Sequence, residues 1–169
     1  MEDTLVVFLT DHGEQLLENG DLGHAYGLFD YENRAIAAFS GPGLAAGTWH
    51  GPTSHADIWP SIFAAMGWEA PDTFRGVHIG ERPADTTRYA LRHQRSGPLH
   101  AVEREGVKLT YNWATGDKGL YRLETDPAEA DNVYDAKDPD VIALWALMSA
   151  DIKQVLAINP EPEPVDPGP

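Results

Sequence analysis

The hydrophobic positions change their spacing along the chain, and each spacing predicts a different element. Residues 5–9, Leu-Val-Val-Phe-Leu, form a continuous apolar run with no alternation. Such a run suits a strand covered on both faces, as in a parallel sheet. It begins within a few residues of position 1, so its neighbours are expected from later in the chain or from elsewhere. It ends in Asp11-His12-Gly13. Residues 14–18 then predict one or two helical turns, and Gly20, Gly23 and Gly27 mark an irregular loop. A second short apolar strand lies within residues 34–40 and stops at Gly41-Pro42-Gly43.

Helical spacing appears next. Ile58, Ile62, Phe63 and Met66 recur on one face, Ser54 or His55 stands near the start and Gly67 near the end. Pro60 sits early, where its missing N–H is tolerated. From about residue 86 the pattern becomes partial alternation, which predicts four short antiparallel strands, with Glu105-Gly106 as a tight hairpin between the second and third. Asp126-Pro127 predicts a helical turn. Val141, Leu144, Trp145, Met148, Ile152 and Leu156 form the stripe of an amphipathic helix that Asp138 and Pro139 start. That stripe reads as core or docking surface. The last residues are rich in Pro and Glu and predict a disordered tail.

Composition narrows the class. The chain has 169 residues, the length of one domain, with 42% hydrophobic residues. It has 12 basic and 27 acidic residues, a net charge of −15, which repels nucleic acid and anionic lipid. There is no Cys, so disulfides and thiolate metal sites are excluded. No apolar stretch is long enough to span a membrane. Residues 1–10 lack a basic region ahead of the apolar run, so they are no signal peptide, and if Met1 is the true start the chain is expected to be cytoplasmic.

Asp11 and His12 stand where a parallel strand reaches its carboxyl edge, the edge at which open α/β sheets bind ligands. A carboxylate and an imidazole offer a hard oxygen and a borderline nitrogen to one cation. Just past the strand end the backbone can turn both side chains inward, and Gly13 allows the turn and leaves room for something to approach. Taken alone, Asp-His-Gly more often marks a turn or a helix cap beside an incidental loop histidine.

The order of several pieces is more specific. The stretch DTLVVFLTDHGEQLLENGDLGHAYGLFDYENRAIAAFSGPG resembles the sulfatase family of the alkaline-phosphatase-like superfamily. That family shows a strand ending in Asp-His-Gly or Asp-Asn-Gly, a Gly-rich loop with a Lys or a Gly-His pair, an aromatic-acidic segment, an Arg, a second strand and Gly-Pro-Gly. SHADIWPSIFAAMGWEAPDTFRG is similar to its following segment, an Asp before a Pro-containing helix. GLYRLETDPAEADNV is similar to its late signature, Leu-Tyr-Asp-Leu, then Asp-Pro-x-Glu and an Asn. The resemblance covers about residues 3–156.

It implies an α/β fold: the C-terminal part of an alkaline-phosphatase-like α/β sandwich, then a small four-stranded antiparallel sheet packed with a C-terminal helix. Residues 1–85 correspond to the C-terminal part of the catalytic α/β domain, 86–157 to the small C-terminal subdomain and 158–169 to the tail. It also implies roles. Asp11 and His12 match two ligands of a divalent cation, calcium in most members, with manganese and zinc as alternatives. His24 matches the basic residue that contacts the sulfate ester oxygens and helps the leaving group. Arg34 matches a structural Arg. Arg122 replaces the usual Asp, expected as surface variation.

The family's nucleophile is a formylglycine made from Cys or Ser within Cys/Ser-x-Pro-x-Arg. Ser40-Gly41-Pro42 is a Ser-x-Pro, but Leu44 stands where Arg is required, so Ser40 is rejected. The paired Asp residues that complete the family's metal site are missing too. The chain therefore reads as a sulfatase fragment holding half a metal site, expected to be inactive alone. The nucleophile is expected in a missing N-terminal part or a partner chain. The expected substrate is a small sulfate ester or a sulfated sugar. A phosphonate or phosphodiester hydrolase of the same superfamily is the nearest alternative, and a non-enzymatic acidic interaction module the next.

Overall fold

A computed structural model describes residues 3–18, 20, 22–24, 27–83, 86–94 and 97–158, without the side chains of 91–94, 97, 155, 156 and 158. In chain order its elements are β1 (Val6–Leu9), β2 (Gln15–Leu16), β3 (Leu22–Gly23), α1 (Asp30–Asn33), β4 (Ala37–Ser40), α2 (Ile58–Ala65), β5 (Arg88–Gln94), β6 (Gly97–Arg104), β7 (Val107–Asn112), β8 (Lys118–Arg122) and α3 (Pro139–Ile158). Single 3₁₀ turns, His55–Asp57 and Ile79–Glu81, flank α2. The acidic residues 159–169 and the side chain of Leu156 lie outside the described part.

The apolar run does form a strand, but its pairing differs from the expectation of a parallel neighbour. β1 pairs antiparallel with β4, with Val7 opposite Phe39 and Leu9 opposite Ala37. The connection between them folds back on itself through β2, β3 and α1, returning the chain beside its starting strand in the opposite sense. The ribbon is also not covered: Phe8 is 58% and Ile36 62% exposed. Residues 14–18 are not helical. Leu17 and Gly20 adopt positive φ, which reverses the chain and pairs β2 with β3 instead.

α2 follows its sequence signals. Ser54 and Asp57 close a capping box, and Gly67, at φ 69°, takes the left-handed position after the C-cap. Asp57 does more than cap. It is fully buried, accepts the Ser54 N–H at 2.8 Å and the Val77 N–H at 3.1 Å, and is gripped by both Nε and Nη2 of Arg82. Burial pushes this carboxyl up, but Arg82 and the two N–H groups outweigh it and hold it below its ordinary value of 3.8.

β5–β8 form an antiparallel meander in sequence order. Glu105 and Gly106, both at positive φ, make the predicted two-residue turn. Register then builds the core. Val102 lies opposite Leu109, and Leu109 opposite Leu120, so three fully buried side chains stand in a row across one face. Val141, Leu144 and Met148 of α3 close over that row, with Trp145 and Ile152 packed beside them. The predicted stripe is therefore core.

Side chains alternate along a strand, so the neighbours of Leu109 and Leu120 face the other way. These are Lys108 and Tyr121, and they meet the N-terminal half. Tyr121 packs edge-on against Phe29 at 6.1 Å. Lys108 Nζ lies 3.1 Å from Asp30 Oδ1 and 3.0 and 2.9 Å from the two carboxylate oxygens of Glu129. Glu129 Oε1 also accepts the Asp30 N–H at 2.6 Å. One cation thus serves two carboxylates. Burial pushes both up. At Asp30, still part-exposed, the attraction of Lys108 wins and the carboxyl is lowered; at Glu129 burial wins and it is raised.

The late signature is structural. Asn132 Oδ1 accepts N–H groups of Leu120 and Tyr134, and its Nδ2 donates to the Lys118 carbonyl, so a side chain stands in for a ladder partner at the edge of β8. Asp126 accepts the N–H groups of Ala130 and Asp131, forming a turn where a helical turn was expected. Arg122 is more than surface variation: its guanidinium bridges Asp138 at 2.9 Å and Asp140 at 2.8 Å, tying β8 to the start of α3.

Candidate active site

β1 delivers Asp11 and His12 to the point where the strand ends. Thr10 stops the ladder: its N–H donates to the Ile36 carbonyl and its hydroxyl accepts the Ile36 N–H. Beyond it, the carboxylate of Asp11 and the Nε2 of His12 stand 3.6 Å apart. Two adjacent ligands of a hard cation, each at 2.3–2.6 Å and at right angles, lie about 3.3–3.7 Å apart, so this pair fits one ion as far as two donors can. His12 Nδ1 lies 2.6 Å from the Gly13 carbonyl. A proton on Nδ1 donated there leaves the Nε2 lone pair free toward the carboxylate, the arrangement common to ligating histidines.

Gly13 has a reason the sequence did not give. The space beside it is taken by the α1 backbone: a Cβ would collide with the Tyr31 carbonyl and stand 3.0 Å from that of Arg34. Gly13 also donates its N–H to the Glu32 carbonyl at 2.8 Å. The glycine admits a neighbouring segment rather than a ligand.

His24, the third residue expected from the sequence, is brought to the same place. Its ring centroid lies 4.3 Å from that of His12, with the planes tilted by 45°. Its Nδ1 lies 2.9 Å from the Glu14 carboxylate. A proton held between them orients the ring and leaves Nε2 available to a bound group. Glu14 is a residue sequence reasoning missed. The sole available signal was an acid just after Asp-His-Gly.

The site is open. The Asp11 side chain is 89% exposed, His24 53% and Glu14 50%. Among the described residues no group of three or more His, Asp or Glu is arranged to hold a metal ion. A hollow of about 680 Å³ lined by Phe8, Leu9, Thr10, Asp11 and His55 lies at the strand end. His55 reaches back to the Thr10 carbonyl, Nε2 to O 3.0 Å, and so braces the residue before Asp11. It too was not singled out from the sequence, where it reads as a helix start. Arg34, 77% exposed, touches the Asp30 carboxylate at 3.4 Å. Ser40 lies on exposed β4, paired with Val6.

No protein-family model matches the chain. Similar proteins are nonetheless informative. A choline-sulfatase from Rhizobium meliloti (strain 1021) is 29% identical over 142 residues, 79% of this chain and 27% of that protein. The solved structure of BT4656 with D-glucosamine-2-N,6-O-disulfate superposes with a TM-score of 0.73 at 19% identity, over 95% of this chain and 36% of that one. A phosphonate monoester hydrolase from Silicibacter pomeroyi does so with a TM-score of 0.63 at 20% identity, over 94% and 35%. The fold is thus the C-terminal part of the alkaline-phosphatase-like architecture. The chain is similar to sulfatases of that architecture, and it spans about a quarter of the curated relative's length and about a third of the solved structures.

Proposed function

We propose that this chain contributes Asp11 and His12 as part of a divalent-cation site, and His24 as a sulfate-contacting residue, to a sulfuric ester hydrolase. The observation that supports it most is the convergence at the end of β1: a carboxylate, an imidazole 3.6 Å from it and a second imidazole 4.3 Å from the first, all carried by two short segments. Calcium is the cation favoured, with manganese and zinc as alternatives. When bound, the ion would offset negative charge on the ester oxygens. The chain's own residues bind and orient. Asp11 and His12 would hold that ion. His24, aligned by Glu14, gives a hydrogen bond or proton to the leaving oxygen as the S–O bond breaks.

The chain offers no formylglycine motif: it has no Cys, and its two Ser-x-Pro tripeptides, at Ser40 and Ser96, are followed by Leu44 and His100 where Arg is required. The nucleophile is assigned to another segment of the protein or to a partner chain, and the chain alone is expected to be inactive. The substrate is a small sulfate ester or a sulfated sugar. The similarity to a phosphonate monoester hydrolase supports a second reading, hydrolysis of a phosphonate or phosphodiester.

The test takes the native polypeptide that contains this sequence. It is assayed with paired sulfate esters and phosphonate monoesters in calcium and in manganese. Sulfate hydrolysis abolished by Asp11→Ala supports the first reading. Phosphonate hydrolysis alone moves the assignment to the second. No hydrolysis of either class sinks both and leaves a non-enzymatic acidic module.

A further inference from the structure

We propose that α1 is a positioning bar: Glu32 sets the spacing between the Asp11-His12 turn and His24, and Lys108 fixes the bar from the C-terminal sheet. The inference rests on the reading of those three residues given above. Glu32 is buried and holds both segments at once. Its backbone carbonyl accepts the N–H of Gly13, the residue after His12, at 2.8 Å. Its carboxylate accepts the N–H of Gly27, three residues after His24, at 3.1 and 3.2 Å. Any movement of α1 therefore moves both segments.

A helix of four residues cannot hold itself in place, because nucleating a single turn is unfavourable. Its position must come from tertiary ties, and the first residue of α1 supplies them. Asp30 offers its carboxylate to Lys108 and its N–H to Glu129. The Lys108 and Glu129 side chains are 3% and 0% exposed. Buried charges are tolerated only when paired, so this triad resists displacement. The Tyr31 and Arg34 carbonyls lie too close to Gly13 to admit even a Cβ, so little room is left between the turn and α1. Glu32 and Lys108 touch none of Asp11, His12 and His24 in the bonds described, so they act as positioning residues.

The test is the proton–proton NOE between the His12 and His24 rings in the whole 169-residue chain. The expected result is a cross-peak in the wild type that is lost in Glu32→Ala and kept in Glu32→Gln, whose amide oxygen still accepts from Gly27. It is also lost in Lys108→Met while the amide resonances of β6–β8 persist. Should that variant fail to fold, Lys108→Met/Glu129→Gln removes the stranded charge and takes its place. A cross-peak absent from the wild type, or surviving in Glu32→Ala and in the Lys108 variant, overturns the proposal. The same spectra recorded with Mn²⁺ separate the two readings. If the His12 ring is not broadened but the variants lose the cross-peak, the cation assignment fails and the bar stands. If the ring is broadened and the cross-peak survives the substitutions, the bar fails and the cation assignment stands.

Discussion

The carbonyl of Glu32 and the N–H of Gly13 meet at 2.8 Å, which fastens a helix of four residues directly behind the candidate ligand His12. That bond makes the ligand turn a property of α1 as much as of β1.

Asp11 and His12 are expected to bind a cation weakly in this chain, because the Asp11 side chain is 89% exposed to water. Replacing His12 by Ala should lower Mn²⁺ affinity by more than the roughly 10–100-fold that loss of an outer-shell partner costs. Water proton relaxation during a Mn²⁺ titration reads this. Equal affinity in both proteins would remove His12 from the site.

Gly13→Ala should destabilise the N-terminal half by about 1–3 kcal/mol, the usual cost of forcing extra volume into packed structure. The added methyl meets the Tyr31 and Arg34 carbonyls, and backbone cannot swing aside as a side chain can. Hydrogen exchange at Gly13 and Asn33 would report the loosening. Unchanged protection would show that α1 shifts freely.

Two buried carboxyls give opposite pH dependence. The folded value of Asp57 is depressed, so its stabilisation is complete above 3.8 and is lost as pH falls through the lower folded value. The folded value of Glu129 is raised, so its contribution is present below 4.5 and is lost as pH rises through the folded value. Urea midpoints measured against pH should show a flattened acid limb in Asp57→Asn. Glu129→Gln should flatten the opposite slope. Breaking the Asp57–Arg82 pair should also cost about 3–5 kcal/mol at neutral pH.

Asn132→Ala should destabilise the C-terminal sheet by about 1–3 kcal/mol, because the N–H of Leu120 and the carbonyl of Lys118 lose their partner at a strand edge. Asn132→Asp keeps the acceptor and loses the donor, so it should fall between the two. Thermal melts followed by near-UV circular dichroism would rank the three.

Elements that depend on local signals were legible in the sequence. The Glu105-Gly106 turn, the Gly67 stop of α2 and the stripe of Val141, Leu144 and Met148 each follow from a few adjacent residues, and each formed. The residues Asp11, His12 and His24 were legible through a resemblance, and the structure brings them together. What stayed hidden depends on distance in sequence. Nothing near Lys108 announces that it will meet Asp30, 78 residues earlier. Glu14 and Glu32 read as ordinary acids until the loop folds. Residues 14–18 failed as a helix because Leu17 takes φ 80°, which helical propensity does not report. That β4 would run antiparallel to β1 was not legible, because an apolar run carries no sign of which way its neighbour runs.

The meander has a consequence for the order of assembly. Each of β5–β8 pairs with the strand beside it in sequence, so its contacts close short loops and form quickly. The tie from Asp30 to Lys108 closes a long one. During synthesis Asp11 and His12 leave the ribosome well before Lys108 exists, so the ligand turn must wait, unlocked, for a strand not yet made.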